Sequence, residues 1–333
     1  VSPVKILVIG GTRFVGRAFV EEAVRHGHDI TLFHRGNVEP EDLVEVEHLH
    51  GDRDGGLHVL SGRRWDAALD VCAYVPRHVR ELAEVIGESV THYTFVSTLS
   101  VYDPLPVGAN ETASMFEPPS PGTEEVTNET YGPLKVACEQ EAQKHFDGRL
   151  LIIRPGYIVG PHDYSDRFTY YVRRAAAGGE MLAPGPPDEP LQVVDVRDLA
   201  QFMLARVEAR DVNDYGVVGP GERVTMKDLL ETARDVARAN TTFTWASPEF
   251  LSGRPDAETA FPMWHPDEPG AHTFDASKAI SAGLHHRPLK ETCADTLAWD
   301  RGRGSPPLRA GLSGDEERKL LAAWRSSGAP TEP

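Results

Sequence analysis

The stretch VIGGTRFVGRAF, Val8 to Phe19, decides how the first half of the chain is read. An apolar run from Lys5 to Ile9 leads into it. Apolar residues at helical spacing (Phe14, Ala18, Val20, Ala23, Val24) lead out of it to Arg25. Gly10, Gly11 and Gly16 therefore lie between a strand and a helix, the context that gives a glycine-rich turn its meaning. Glycine there permits a tight turn and a close approach of backbone to phosphate. The helix start adds unpaired N–H groups and a partial positive charge. Thr12, Phe14 and Val15 complete the loop expected to touch a dinucleotide. Arg13 stands where a further glycine would be expected, and it sets a fixed positive charge beside the phosphates.

Outward from this loop, the pattern alternates. Strands are expected at 30–33, 44–49, 67–71, 93–96 and 150–153, with helices at 77–86 and 131–146. Strands alternating with helices imply parallel pairing with helices on both faces. Right-handed crossovers then give an α/β, doubly wound Rossmann sheet. After about Arg154 the pattern loosens, with helices expected at 167–177, 196–207 and 226–239 and strands at 192–194 and 215–218. This division predicts a dinucleotide-binding domain over 1–160, to which later segments return. A smaller C-terminal substrate-binding lobe follows over 161–326, with a flexible tail over 327–333. Pro and Gly cluster at 183–190 and 248–270, either as pocket-lining loops or as surface connections.

The 333 residues carry a formal net charge of −17, which opposes non-specific binding to nucleic acid. No apolar run is long enough to span a bilayer, and no export signal is visible at the start. The three cysteines, Cys72, Cys138 and Cys293, are odd in number and lack metal-ligand spacing, so they read as reduced thiols of a cytoplasmic protein. His285 and His286 are adjacent and point apart on any regular element, so no metal is expected.

Three further places carry chemistry. The second strand ends in TLFHRG, with His34 and Arg35 where an NAD site usually presents a carboxylate to the ribose 2′-OH. A guanidinium binds a 2′-phosphate that a carboxylate would repel, so Arg13 and Arg35 favour NADP, with NAD the second choice. The third strand ends in GDRD. Asp52 is placed to accept from the adenine amine, and Arg53 lies either against the adenine or in water. YGPLK places Tyr131 and Lys135 four apart, on one face of a helix, after the hydroxyl-rich FVSTLSVY of residues 95–102. A phenol with pKa about 10 is a weak base at neutral pH. A nearby ammonium should lower that pKa.

Together with RPGYIVGP (154–161), these residues resemble the extended short-chain dehydrogenase/reductase family, and in particular its NAD-dependent epimerases and dehydratases, to about Trp299. The resemblance implies a nicotinamide cofactor and a Ser/Thr–Tyr–Lys triad, which falls on Thr98, Tyr131 and Lys135, with Ser97 and Ser100 as competitors for Thr98. It also implies that Ala73 and Tyr74 lie near the cofactor and Tyr157 and Ile158 near the nicotinamide. A homodimer through the helices at 77–86 and 131–146 would be family-like.

The departures narrow the function. Leu99 and Ser100 stand where dehydratases carry an Asp–Glu pair. Leu191 and Glu268 stand where sugar-nucleotide enzymes place arginines for the diphosphate, unless Arg167, Arg173 or Arg197 substitutes. The expectation is an NADP-preferring oxidoreductase or epimerase of a small polar, non-nucleotide molecule, with Ser100, His162, Arg167 and Gln192 on the substrate side. Two alternatives stand beside it. One is a sugar-nucleotide epimerase that retains its cofactor. The other is an RNA-binding or regulatory relative, for which the middle-glycine replacement by Arg13 speaks and the −17 charge does not.

Overall fold

The computed structural model describes residues 2–254, 257–268 and 270–327. The glycine turn joins β1 (Lys5–Ile9) to α1 (Phe14–Arg25), with the expected bounds. There follow β2 (Asp29–His34), β3 (Glu47–His50), β4 (Trp65–Asp70), α2 (Pro76–Ile86), β5 (Val90–Val96), α3 (Asn128–Phe146) and β6 (Leu150–Pro155). After these come β7 (Tyr157–Val159), α4 (Arg167–Ala176), β8 (Glu180–Pro184), β9 (Val193–Asp195), α5 (Val196–Glu208), β10 (Asp214–Val217), α6 (Met226–Ala237) and β11 (Thr242–Ala246).

Seven strands form one sheet in the order β10-β6-β5-β4-β1-β2-β3, and every pairing in it is parallel. From β1 the chain winds outward to β2 and β3, then returns beside β1 to lay down β4, β5, β6 and β10. The reversal lies between β1 and β4, where a doubly wound sheet opens its ligand crevice at the strand C-termini. Successive residues face opposite layers. Ile6, Val8, Leu32 and Leu69 pack with Phe19, Val20 and Met203 of α1 and α5, while Leu7, Ile9, Phe33 and Ala68 pack with Val79, Leu82 and Phe146 of α2 and α3. Burial on both faces explains why these strands read as unbroken apolar runs.

The later segments form two small parallel pairings, β7 with β9 and β8 with β11. A separate core joins Phe168, Tyr171 and Val172 of α4 to Met181, Leu229 and Leu230. Helices Leu289–Gly302 and Gly314–Ser326 pack onto this part. The Pro- and Gly-rich stretch at 248–270 is not only surface connection. Phe261 and Trp264 are buried there, and the Trp264 indole N–H donates to the Gly185 carbonyl at 3.1 Å. Of the expected tail, residues 328–333 lie outside the described residues.

Candidate active site

Gly10 has φ +89°, the left-handed region that glycine enters without a steric cost, and its N–H donates to the Phe33 carbonyl at 3.0 Å. A Cβ on Gly16 would stand 2.3 Å from the Gly10 carbonyl oxygen, so the helix and the turn approach as closely as backbone allows. No side chain caps the N-terminus of α1. Its first N–H groups therefore face the crevice without an internal acceptor, which is the donor set a pyrophosphate takes.

At the other end of the crevice, α3 carries Tyr131 and Lys135. A capping box between Thr127 and Thr130 starts this helix. Gly132 allows it to sit against the turn after β5, since a Cβ there would come within 2.2 Å of the Ser100 carbonyl oxygen. That contact sets Tyr131 near Thr98, whose hydroxyl acts on the Tyr131 phenol. Thr98 is buried; its hydroxyl accepts from Ser100 N–H and donates to Ser100 Oγ, both at 3.1 Å. Of the competitors, Ser97 is buried inside the fold and Ser100 is exposed. Of the three, Thr98 is the one whose side chain acts on the Tyr131 phenol.

Lys135 is 3% exposed. Its ammonium donates to the Ala73 carbonyl at 3.0 Å and the Val96 carbonyl at 2.8 Å, and lies 4.2 Å from the Phe95 ring centre. Burial lowers its pKa. Tyr131 departs from expectation: its pKa is raised, not lowered. Burial is the largest cause, and the Thr98 hydroxyl and the Arg167 charge oppose it. Loss of water around the phenol outweighs both.

The adenosine end differs from the sequence reading in three ways. Arg53 neither faces water nor offers itself to an adenine. It is buried in a bidentate pair with Asp70, both bonds at 2.7 Å, and it also donates to the His78 carbonyl at 3.0 Å. Tyr93 donates to the same carboxylate, so the whole group ties the β3–β4 loop to the sheet. His34 is buried and packs edge-on against His48 and His50. Arg13 lies 5.7 Å from the centre of the Tyr164 ring, which draws it toward the catalytic end rather than toward Arg35. Arg35 and Asp52 are exposed, and the Asp52 side chain accepts from Asp54 N–H at 3.1 Å.

On the substrate side, Arg167 is exposed at the start of α4 and its charge acts on Tyr131. Tyr74 and Tyr164 are exposed aromatics in the same neighbourhood. Two expected substrate residues are otherwise engaged. His162, at φ +69°, packs against Trp299 and beside Arg17, and burial lowers its pKa. The Gln192 amide donates to the Phe274 carbonyl and accepts from Phe274 N–H, both at 2.9 Å, so it clamps backbone. Tyr157 is hydrogen-bonded to His265 and stacks on His272, and Ile158 packs against the α1–α5 core. Tyr164 was missed by sequence reasoning; its signal was an aromatic residue in the polar loop just after RPGYIVGP. The grouping of Glu39, His48 and His50 around His34 was missed as well, because only the strand register brings them together.

The parallel seven-stranded sheet with a glycine turn after β1 is the fold of the extended short-chain dehydrogenase/reductase class of NAD(P)-dependent enzymes. Residues 6–218 match the model of the NAD dependent epimerase/dehydratase family, and the chain belongs to that family. Among its relatives is the chloroplast stem-loop binding protein of 41 kDa b of Arabidopsis thaliana, 27% identical across 95% of this chain and 84% of that protein. Among solved structures, a UDP-glucose 4-epimerase superposes with a TM-score of 0.69 at 16% identity, covering 93% of this chain and 99% of that one. The Bordetella bronchiseptica enzyme WbmG, in complex with NAD and UDP, superposes with a TM-score of 0.68 at 17% identity, covering 94% and 99%. Among the described residues, no helix is long and apolar enough to cross a membrane.

Proposed function

We propose that this chain is an NADP-preferring oxidoreductase or epimerase acting at a carbinol or carbonyl carbon of a small polar, non-nucleotide molecule. The observation that carries the reading is Thr98 beside Tyr131, its hydroxyl acting on the phenol, with Lys135 buried one helical turn further along α3. The dinucleotide fits the residues present. Gly10 and Gly16 leave a cradle that any Cβ at position 16 would fill, and the α1 N-terminus offers uncapped donors.

The nicotinamide, when bound, supplies or accepts a hydride. The chain's own residues do the rest. Tyr131 gives a proton to the substrate oxygen during reduction, or takes one during oxidation. Thr98 holds that oxygen in line through its hydroxyl. Lys135, fixed by the Ala73 and Val96 carbonyls, supplies a positive field that favours the tyrosinate. Arg167 stands ready to anchor an anionic or polar group of the substrate. Ala73 and Tyr74 border the nicotinamide end, and Arg35 meets the 2′-phosphate.

Two positions support a non-nucleotide substrate. Leu191 is buried in the core of the C-terminal part, and Glu268 is exposed. Neither offers a cation to a diphosphate. UDP and dTDP should therefore show no micromolar binding by calorimetry with NADPH present. Micromolar affinity for either would replace this reading with a sugar-nucleotide epimerase. The relative named for stem-loop binding favours a second reading, in which RNA is the ligand. Filter binding to a structured RNA across a salt series separates the two, because an RNA site loses affinity steeply as salt rises.

A further inference from the structure

At the outer edge of the sheet, far along β2 and β3 from the triad strands, three imidazoles and a carboxylate converge. His34 ends β2 and pairs in register with His50 of β3; His48 stands two residues earlier on the same face. Glu39 comes from the loop between the two strands. Nε2 of His34 is 2.9 Å from Nδ1 of His48 and 3.9 Å from a Glu39 carboxylate oxygen. That oxygen is 2.5 Å from Nε2 of His50. All four ligand atoms lie within 4.8 Å of one another. The His34 side chain is 6% exposed and that of His50 is 55% exposed, so the group has a buried floor and an open mouth.

We propose that these four residues form a binding site for one divalent transition-metal ion of the zinc class. His34 Nε2, His48 Nδ1, His50 Nε2 and a Glu39 oxygen are the ligands. Three nitrogens and one oxygen suit zinc in four-coordination, and bonds of about 2.0–2.2 Å place tetrahedral donors roughly 3.3–3.6 Å apart. The separations of 2.5, 2.9 and 3.9 Å bracket that range, so side-chain movements of under an ångström or so complete the site. Calcium and magnesium prefer oxygen ligands and fit this set poorly.

Without the ion, Gly36 N–H donates to His34 Nδ1 at 3.1 Å. The His34 ring proton therefore sits on Nε2 and is donated to His48. Coordination requires the other tautomer of His34 and of His50, with each ring proton moved to Nδ1. Gly36 N–H then loses its acceptor. Gly36 has φ +76°, so the loop has a residue at which it can turn. The consequence is structural: β3 is the edge strand of the sheet, and the ion would fasten it and residues 35–46 to β2.

The test is calorimetric titration of the chelator-treated full chain with zinc, together with cobalt(II) as a visible-spectrum probe of tetrahedral geometry. One equivalent should bind to this site. His48→Ala and His50→Ala should each weaken it at least about tenfold and lose the tetrahedral cobalt band. His50 is exposed, so His50→Ala should keep the native circular dichroism spectrum. Zinc should also raise the thermal midpoint of the wild type but not of these variants. His26, His28 and Glu208 form a second, three-ligand grouping, and His26→Ala serves as its control. Unchanged zinc affinity in the His48→Ala/His50→Ala double variant, or loss of the tight equivalent in His26→Ala alone, would overturn the proposal.

Discussion

The two ends of the cofactor crevice are built differently. At the end near α3, Lys135 and Thr98 are held by the protein's own hydrogen bonds. Lys135 rests on two carbonyls, Thr98 is held by the Ser100 turn, and Gly132 lets α3 lie close against that turn. At the adenosine end, Arg35 and Asp52 stand on exposed loops, while Arg53 is spent inside on Asp70. Buried, satisfied groups define a reaction geometry, and exposed charges at the rim select among cofactors at modest energy. Chemistry should therefore be sensitive to single atoms at one end, and the other end should shift only preference.

The buried pair beneath both ends gives the largest effect. Asp70→Asn leaves the Arg53 charge buried without its counter-ion, and such a loss costs about 3–5 kcal/mol. Urea unfolding should report that loss; a change under about 1 kcal/mol would mean that Arg53 escapes to solvent. Next is Tyr131→Phe, which removes the phenol hydroxyl and keeps the ring. NADPH-coupled turnover on a panel of small carbonyl compounds should fall by about two orders of magnitude or more, the scale of a general acid or base. NADPH affinity should stay within about twofold, since the lost group acts on the substrate oxygen and not on the phosphates. Near-normal turnover would remove Tyr131 from the chemistry and break the contrast between the two ends.

Much of this was legible in residue pattern, for reasons that differ between regions. The strands around β1 are buried on both faces, so they read as apolar runs, and α1 emerged with its observed bounds. Tyr131 and Lys135 were legible because helical spacing alone places them on one face. β8 and β11 were not anticipated; they pair only with each other, across more than fifty residues of intervening chain, and little in either segment announces a partner. Arg53 was ambiguous because GDRD says nothing of Asp70, which comes from another strand. His162 and Gln192 were drawn to the substrate by position along the chain, yet one packs on Trp299 and the other clamps Phe274. Tyr131 shows the same limit in electrostatics: the neighbouring lysine could be read, but not the burial that raises the phenol pKa.

The smaller effects sharpen the adenosine end. Arg35→Ala should erase most of the preference for NADPH and leave NADH affinity nearly unchanged. A charge-assisted bond to phosphate is worth roughly 1.5–3 kcal/mol, enough for a tenfold preference. Arg13→Ala should change the NADPH-to-NADH ratio less than Arg35→Ala does, because Arg13 leans on Tyr164 and serves both cofactors alike. Fluorescence titration of each variant with both cofactors checks this order; a larger effect at Arg13 would reverse the assignment of the two arginines.

The most direct measurement is the same titration on the wild type. If the glycine cradle, Arg35 and the Thr98–Tyr131–Lys135 set border one crevice for one dinucleotide, NADPH should bind saturably, with one molecule per chain. It should also bind at least about tenfold more tightly than NADH, a difference of about 1.4 kcal/mol. Equal affinities, or NADH preferred, would contradict the NADP assignment, and saturable binding of neither would contradict the crevice itself.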